Sequence, residues 1–243
     1  MKYPRDHISY SSFSRFEECP RRWWFEYVRY PEEKIDLPAF VIGNAYHDAI
    51  AAMYRGEPVV ACEELYLSKA KGVNYKESEN VREAIGYYAT NVYPFYRSKV
   101  ASVEQEKTIK VPGLSVPLMF RMDLETLDGV LVDHKTVGGR APSIYNNAQL
   151  DIYSLAYLTE RGRLPRCVEL HLAYKDKRRV KVEVKSSTPT LVEVLSTLSR
   201  VRAFLGMVKR NSFPVKKSGA CRNCPFRSEC DSLIIASNGD DVI

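Results

Sequence analysis

The residues most able to do chemistry lie in one stretch, 120–137 (FRMDLETLDGVLVDHKTV), which predicts a β-hairpin. Asp123 lies in its first strand, and Asp133 and Lys135 lie in its second. Two carboxylates held about 5 Å apart across a strand pair repel each other unless a cation lies between them. Carboxylate oxygens are ligands that hard divalent cations prefer. The stretch therefore predicts a divalent-metal site with a lysine beside it.

This site depends on the register of the hairpin, because strand side chains alternate between the two faces of a sheet. A two-residue turn at 128–129 would pair Asp123 with His134 and send Asp133 to the opposite face. A three-residue loop over 127–129, closed by a left-handed glycine, places Asp123 across from Asp133, and we expect this register. It gives one charged face, formed by Arg121, Asp123, Asp133 and Lys135. The other face is largely apolar and is formed by Phe120, Met122, Leu124, Val130, Val132 and His134.

Helices that would flank the hairpin carry further candidates. A helix predicted over 40–54 presents His47, and a helix predicted over 147–159 places Gln149 and Tyr153 four residues apart on one face. By themselves, His47 is typical of a core or surface histidine, and Gln149 and Tyr153 are typical of a boundary pair on an amphipathic helix.

A strand predicted over 102–111 leads into the hairpin and carries Glu104 and Glu106. Two interpretations are open for these carboxylates. They could support the site from behind, but the simpler expectation is that they are exposed on the strand.

Three cysteines near the C-terminus form a C-x₂-C-x₅-C pattern: Cys221, Cys224 and Cys230. In a chain expected to be cytoplasmic, such spacing favours metal or cluster ligation over disulfides. Three thiolates need a fourth ligand, and four could hold zinc or an iron-sulfur cluster, between which the spacing does not choose. The two cysteines outside this group, Cys62 and Cys167, are expected to be small buried apolar residues.

The overall composition is that of an ordinary folded domain, with 243 residues, 45% apolar and 27% charged. No stretch approaches the roughly 18 apolar residues of a membrane span, and the first ten residues lack a signal-peptide apolar region, so we expect a cytoplasmic protein. The formal charge of +6 fits a polyanionic partner. A basic turn over 175–179 would join strands at 168–174 and 180–185, and the tail 237–243 is expected to be flexible.

The predicted elements of the middle of the chain follow the order βββαββ, wrapped by helices, which gives an α/β or α+β domain. A helix over 79–96 precedes them, and a helix over 189–209, capped by Thr188, follows them. The segment 9–30 is helical until Pro20 and rich in aromatic residues, which would pack in a core.

Taken together, the motifs resemble those of the PD-(D/E)XK nuclease superfamily, and in particular its RecB-like iron-sulfur exonucleases, a group that includes CRISPR-associated exonucleases and AddB-type nuclease domains. The matching motifs are Cys19-Pro20-Arg21, Gly43-x-x-x-His47, Asp123, Asp133-x-Lys135, Gln149-x-x-x-Tyr153 and the cysteine trio. The resemblance extends from Ser9 to Cys230.

The resemblance implies an α/β fold: a restriction-endonuclease-like core with a mixed β-sheet flanked by helices, an N-terminal helical region and a C-terminal four-cysteine cluster domain. The expected boundaries are 1–100 for the helical region with Cys19 and His47, 101–210 for the nuclease core and 211–243 for the cysteine segment. The three parts are expected to form one compact unit.

The resemblance also implies residue roles. His47, Asp123, Asp133 and the backbone carbonyl of His134 would bind Mg²⁺ or Mn²⁺, and Lys135 would orient the attacking water or stabilise developing negative charge. Gln149 and Tyr153 belong to the same catalytic set. Cys19 would be the fourth ligand beside Cys221, Cys224 and Cys230, with a 4Fe-4S cluster favoured over a 2Fe-2S cluster or zinc.

The implied function is a metal-dependent DNA exonuclease that acts on single-stranded DNA with a free end, with 5′-to-3′ polarity favoured. It would serve in CRISPR spacer acquisition, alongside adaptation proteins, or in DNA repair, recombination or replication. Interleaved aromatic residues and arginines over 15–30 would contact a threaded strand. The alternatives are a catalytically inactive nucleic-acid-binding protein stabilised by its cluster and a zinc-stapled interaction module.

Overall fold

The computed structural model describes residues 1–32, 38–176 and 181–238, and within these ranges six strands form one mixed sheet. The strands are β1 (Ile8–Ser9), β2 (Val100–Ile109), β3 (Leu118–Thr126), β4 (Val130–Val137), β5 (Cys167–Tyr174) and β6 (Val182–Ser187). The helices are α1 (Tyr10–Glu18), α2 (Pro20–Trp24), α3 (Pro38–Tyr54), α4 (Val59–Lys69), α5 (Tyr75–Asn91), α6 (Tyr93–Tyr96), α7 (Ala148–Arg161), α8 (Leu191–Lys209) and α9 (Arg227–Asn238).

The sheet follows the order β1-β3-β4-β5-β6, and β2 pairs along the other edge of β3. β2, β3 and β4 are antiparallel neighbours, whereas β4 and β5 are parallel and joined by the crossover helix α7. β6 returns antiparallel to β5. The predicted order βββαββ is therefore confirmed, with the short strand β1 added in front of it.

Helices cover both faces of the sheet, because successive residues of β5 point to opposite sides. Leu170 and Leu172 join a cluster that includes residues of α1, α7 and α8. Ala173, between Leu172 and Tyr174, joins a second cluster built from α3, α4 and α5. The core is thus two apolar layers separated by the sheet, and β4 runs between them.

The aromatic residues of the N-terminal segment are mostly core. Phe13, Phe16, Trp23 and Phe25 are buried, and a π-helical turn over Phe25–Arg29 follows α2. Arg15 pairs with Glu18 and Glu26, and Arg22 also pairs with Glu26. The prediction that this segment offers stacking rings and free arginines to a threaded strand is therefore wrong for these buried rings and paired arginines.

Two helix boundaries differ from the prediction. The helix expected over 79–96 is divided at Val92 into α5 and α6, because Pro94 has no N–H to continue the helical hydrogen bonds. The cap of α8 is Thr190 rather than Thr188: its side chain accepts a hydrogen bond from the backbone of Glu193, and Glu193 reciprocates.

Two predicted segments lie partly outside the described residues: the basic turn over 175–179 and the tail over 237–243. Among the helices that the structure describes, none has the length and apolar character needed to cross a membrane.

Candidate active site

The hairpin of β3 and β4 has the register of the three-residue loop. Its ladder pairs Leu124 with Val132 and Glu125 with Leu131, and the backbone N–H of Gly129 closes the turn with the carbonyl of Thr126. Gly129 has a φ of 79°, a left-handed conformation that glycine adopts without a side-chain clash. The structure therefore confirms the predicted register, in which Asp123 lies opposite Asp133.

The predicted separation of the hairpin into a charged and an apolar face is wrong for part of β3. Leu124, Val130 and Val132 form one small cluster, but Phe120 and Met122 pack in the large cluster on the other side of the sheet. The change occurs at Asp123, where the β3–β4 ladder ends. There the Asp123 carboxylate accepts a hydrogen bond from the backbone N–H of His134, at 2.6 Å, in place of a backbone carbonyl.

Asp123 is buried and faces His47 of α3. The distance from its Oδ1 atom to His47 Nδ1 is 3.3 Å. Burial would raise the pKa of Asp123, but the charged His47 imidazole outweighs burial and holds the pKa at about 2. Burial in turn would lower the pKa of His47, but Asp123 raises it to about 10. Without a metal ion, the two side chains therefore form a buried ion pair.

Asp133 is buried on the side of β4 that faces α7. Its Oδ1 atom accepts hydrogen bonds from Gln149 Nε2 at 2.7 Å and from Lys135 Nζ at 3.1 Å. Its Oδ2 atom lies 2.9 Å from Lys135 Nζ, yet it is buried without a hydrogen-bond partner. Burial raises the pKa of Asp133 to about 6 against the opposing effect of Lys135. The carboxylate is thus held by Gln149 and by the Lys135 ammonium, which lies close to both of its oxygens.

Gln149 and Tyr153 hold Asp133 in place from α7. The Gln149 amide donates to the Tyr153 hydroxyl at 2.7 Å, and this hydroxyl donates to the backbone carbonyl of Arg121 at 2.8 Å. Their spacing of four residues puts both on one face of α7, as predicted. These two side chains connect the helix to β4 and to β3 at the point where the strands separate.

The His134 imidazole points away from Asp133, toward α3 and α5, because neighbouring residues of a strand face opposite ways. Its Nδ1 atom lies 3.7 Å from Asp123 Oδ2. Burial lowers the pKa of His134 well below its usual range, so the ring is neutral. Candidate ligand atoms of His47, Asp123 and His134 all lie within 4.8 Å of one another, which makes them a candidate metal-binding group.

Glu104 supports the site, which is the less expected of its two predicted positions. It is not an exposed strand carboxylate: its Oε1 atom lies 3.5 Å from His47 Nδ1, and its Oε2 atom lies 2.9 Å from Arg121 Nε. Its φ of 50° interrupts the alternation of β2 and turns the side chain toward the site. No sequence pattern predicts a positive φ at a glutamate. Glu106, the other carboxylate of this strand, is exposed as expected.

The arrangement fits a divalent cation. The buried carboxylates of Asp123 and Asp133 offer oxygen ligands, and the imidazoles of His47 and His134 both face the Asp123 carboxylate. Imidazole nitrogen favours Mn²⁺ more than Mg²⁺. Within the described residues, the ligand atoms that lie within 4.8 Å of one another are those of His47, Asp123 and His134, and the Asp133 carboxylate is not in this group.

The four predicted cluster cysteines line one cavity of about 370 Å³. They are Cys19, Cys221, Cys224 and Cys230, all free thiols. Burial raises the pKa of the Cys230 thiol, and Arg21 opposes the rise. The two remaining cysteines lie elsewhere: Cys62 is buried as predicted, and Cys167 is partly exposed.

Contacts between the two ends of the described chain surround this cavity. Phe25 stacks on Phe226 with ring centroids 5.0 Å apart. The hydroxyl of Tyr30 donates to Glu229 at 2.9 Å, and Arg29 Nε lies 2.7 Å from the same carboxylate. The N-terminal and C-terminal cysteines therefore converge because the aromatic and charged residues around them pack together.

Comparisons with known proteins agree with this geometry. The chain matches the family model of the PD-(D/E)XK nuclease superfamily over residues 7–231. A solved structure of a protein from Eubacterium rectale, provisionally named an exonuclease, is 13% identical, with a TM-score of 0.59, and the match covers 90% of this chain and 88% of that chain. At this identity the likeness shows the fold alone.

Two other solved structures are less similar. SSO0001 is 15% identical with a TM-score of 0.43, over 91% of this chain and 84% of that chain. LHK-Exo in complex with dAMP is 10% identical with a TM-score of 0.34, over 69% of this chain and 87% of that chain. With TM-scores this low, neither structure supports a conclusion about this chain. No curated protein matches the sequence significantly.

Proposed function

The chain belongs to the PD-(D/E)XK nuclease superfamily, and on this premise we propose that it is a divalent-metal-dependent exodeoxyribonuclease whose reaction centre is formed by Asp123, Asp133, Lys135 and His47. The observation that carries the proposal is the pair of buried carboxylates at the point where β3 and β4 separate. Each has its own cationic neighbour, His47 for Asp123 and Lys135 for Asp133. Charges are buried in this way where they bind an ion or a charged substrate.

The residue roles follow from the contacts. A divalent cation bound by the two carboxylates and His47 would supply the charge that activates water and neutralises the scissile phosphate. Lys135 places its ammonium against Asp133 and is partly exposed, so it can also contact a phosphate oxygen. Gln149, itself hydrogen-bonded to Tyr153, fixes the Asp133 carboxylate through its Oδ1 atom.

For the four cysteines we propose an iron-sulfur cluster, of the 4Fe-4S type. The spacing of the cysteine trio, together with Cys19, resembles that of iron-sulfur nucleases, and this resemblance supports the cluster over zinc. The cavity is also lined by basic side chains that would offset the negative charge of four thiolates: Arg21, Arg22, Lys217, Arg222 and Arg227.

The substrate proposal is single-stranded DNA with a free end, degraded with 5′-to-3′ polarity. It is supported by the resemblance of the motifs to RecB-like exonucleases and by the exonuclease name of the Eubacterium rectale protein. The same resemblance supports a role in CRISPR spacer acquisition or in DNA repair, recombination or replication. We also propose the division into a helical region (1–100), a nuclease core (101–210) and a cysteine segment (211–243).

The test is a degradation assay on three DNA substrates of equal length: linear single-stranded, linear duplex and closed circular single-stranded. Labels at the 5′ and 3′ ends report polarity, and parallel reactions contain Mn²⁺, Mg²⁺ or a chelator. We expect rapid loss of the linear single strand with Mn²⁺ and no cleavage with the chelator. Equal rates on circular and linear single strands would refute exonuclease action, and the absence of cleavage with either cation would favour the inactive DNA-binding alternative.

A further inference from the structure

A chain of buried polar side chains extends from His134 away from the predicted site. The Nε2 atom of His134 lies 3.0 Å from the hydroxyl of Tyr88 on α5, and this hydroxyl lies 2.9 Å from Nδ1 of His171 on β5. The Nε2 atom of His171 lies 3.1 Å from the carboxylate of Glu169. Tyr88 and His171 are fully buried, and His134 is 2% exposed. None of these three partners of His134 belongs to the predicted catalytic set.

The carboxylate at the far end anchors this chain as an acceptor. Glu169 accepts from the Tyr96 hydroxyl at 2.6 Å and from Nε2 of His171, since a carboxylate accepts hydrogen bonds. The Nδ1 atom of His171 faces the Tyr88 hydroxyl, which has a single proton to donate.

The surroundings of the two His134 ring nitrogens differ. A proton on Nε2 has an acceptor in the Tyr88 oxygen at 3.0 Å, and this oxygen also lies 2.9 Å from the Tyr54 hydroxyl. The geometry therefore favours a proton on Nε2. A proton on Nδ1 would meet Asp123 Oδ2 only at 3.7 Å, which is too long for a hydrogen bond, so that tautomer would leave a buried donor unsatisfied.

We infer that Tyr88, His171 and Glu169 are positioning residues, which hold the His134 imidazole with a bare Nδ1 atom directed at Asp123 so that the His134 side chain ligates the divalent cation. The inference rests on the proposed metal-dependent function. It extends that function, because the family resemblance implies only a backbone-carbonyl role for His134. It adds a second imidazole to the ligand set, and it explains why two histidines and a tyrosine are buried together behind the sheet.

The first test needs no metal and no variant. A long-range ¹H–¹⁵N correlation spectrum of chelator-treated, ¹⁵N-labelled protein distinguishes a protonated ring nitrogen from a bare one. We expect a neutral His134 with the proton on Nε2. A proton on Nδ1, or on both nitrogens, would overturn the inference. The assignment of the signals uses a His134→Gln variant, in which one set disappears.

The second test measures Mn²⁺ affinity from the electron paramagnetic resonance signal of free Mn²⁺. Tyr88→Phe removes the hydroxyl between the two imidazoles, and Tyr54→Phe, the matched control, removes a neighbouring hydroxyl that is not between them. We expect Tyr88→Phe to weaken Mn²⁺ binding by about 10- to 100-fold, the usual effect of removing the partner of a metal-binding histidine. Tyr54→Phe should leave the affinity unchanged. Equal affinities of wild type and Tyr88→Phe would overturn the inference.

The third measurement detects the ligand itself. Electron spin echo modulation of bound Mn²⁺ reports coordinated nitrogen, and we expect nitrogen modulation to persist in His47→Ala, from His134. Its complete loss in that variant would show that His134 does not ligate the ion. A wild-type protein that binds no Mn²⁺ and cleaves no DNA would instead refute the proposed function, and the spectrum of the metal-free protein would still decide the tautomer.

Discussion

The carboxylate of Glu104 lies 3.5 Å from His47 Nδ1, the same ring nitrogen that faces Asp123 at 3.3 Å. Glu104 reaches this position through a left-handed backbone conformation, which costs a non-glycine residue on the order of 1 kcal/mol or more. The surrounding structure holds it there, with Arg121 on its other oxygen. The negative charge of Glu104 therefore lies beside the group of atoms that would hold a cation.

Glu104→Gln should therefore weaken Mn²⁺ binding by about 10-fold or more, because the charge that faces His47 is lost while the size of the side chain is kept. The measurement is Mn²⁺ affinity by isothermal titration calorimetry. Glu106→Gln is the matched control, since Glu106 lies two residues along the same strand and is exposed. Similar affinities for the two variants would remove Glu104 from the site.

The hairpin part of the site could be predicted from the sequence, because the turn residues and the side-chain alternation determine the strand register. The turn residues and the period-two alternation correctly predicted the register that pairs Leu124 with Val132, although the predicted faces are wrong for the part of β3 that precedes Asp123. The four-residue spacing of Gln149 and Tyr153 likewise placed both on one face of α7. Local periodicity was sufficient for these pairs.

What the sequence did not reveal depends on long-range contacts. Glu104 turns inward through a backbone angle that no residue pattern encodes, and Tyr88 meets His134 only when α5 packs on the sheet. The change of face in β3 arises where the Asp123 side chain replaces a ladder hydrogen bond. The burial of Trp23 and its neighbours was also indistinguishable, by spacing alone, from an aromatic binding surface.

The cysteine cavity gives the second prediction. Protein purified without oxygen should be brown and contain iron, and Cys221→Ser should lose the colour and unfold at a lower temperature, because a cluster would join the two chain ends. Cys167→Ser is the control, since Cys167 lies outside the cavity, and it should keep the colour. The measurements are the visible absorption spectrum and the iron content. Colourless protein with stoichiometric zinc would refute the iron-sulfur cluster but not the four ligands.

The third prediction concerns the start of α8. Thr190→Ala removes the capping hydroxyl that accepts from the backbone of Glu193, so the free energy of unfolding should fall by about 1 kcal/mol. Thr188→Ala, two residues earlier and exposed, should change it by less than about 0.5 kcal/mol. Urea unfolding followed by circular dichroism measures both. Equal effects would mean that the capping box does not stabilise the helix.

The fourth prediction is a pH dependence of stability at Asp151 on α7. Its carboxylate accepts from Thr197 at 2.7 Å, and burial raises its pKa above the usual value. A raised folded-state pKa means that the folded protein binds this proton more tightly than the unfolded chain. The stabilising contribution is therefore complete below the unfolded-state pKa and is lost as the pH rises through the folded-state pKa.

Asp151→Asn keeps an acceptor for Thr197 and removes the ionisation. The variant should therefore be more stable than wild type at pH 7, and its advantage should shrink as the pH falls toward the ordinary pKa of aspartate. Urea unfolding at several pH values measures this difference. Asp6→Asn, at a highly exposed carboxylate, should show no such trend. An advantage that does not change with pH would contradict the assignment.

The most direct test of the proposed reaction centre compares two aspartates of the same hairpin. Asp133→Asn removes the buried carboxylate charge beside Lys135, and Asp128→Asn makes the same change in the exposed turn. With linear single-stranded DNA and Mn²⁺, Asp133→Asn should reduce the initial rate of hydrolysis by more than about 100-fold, and Asp128→Asn should retain the wild-type rate. Near-wild-type hydrolysis by a folded Asp133→Asn protein would contradict the account.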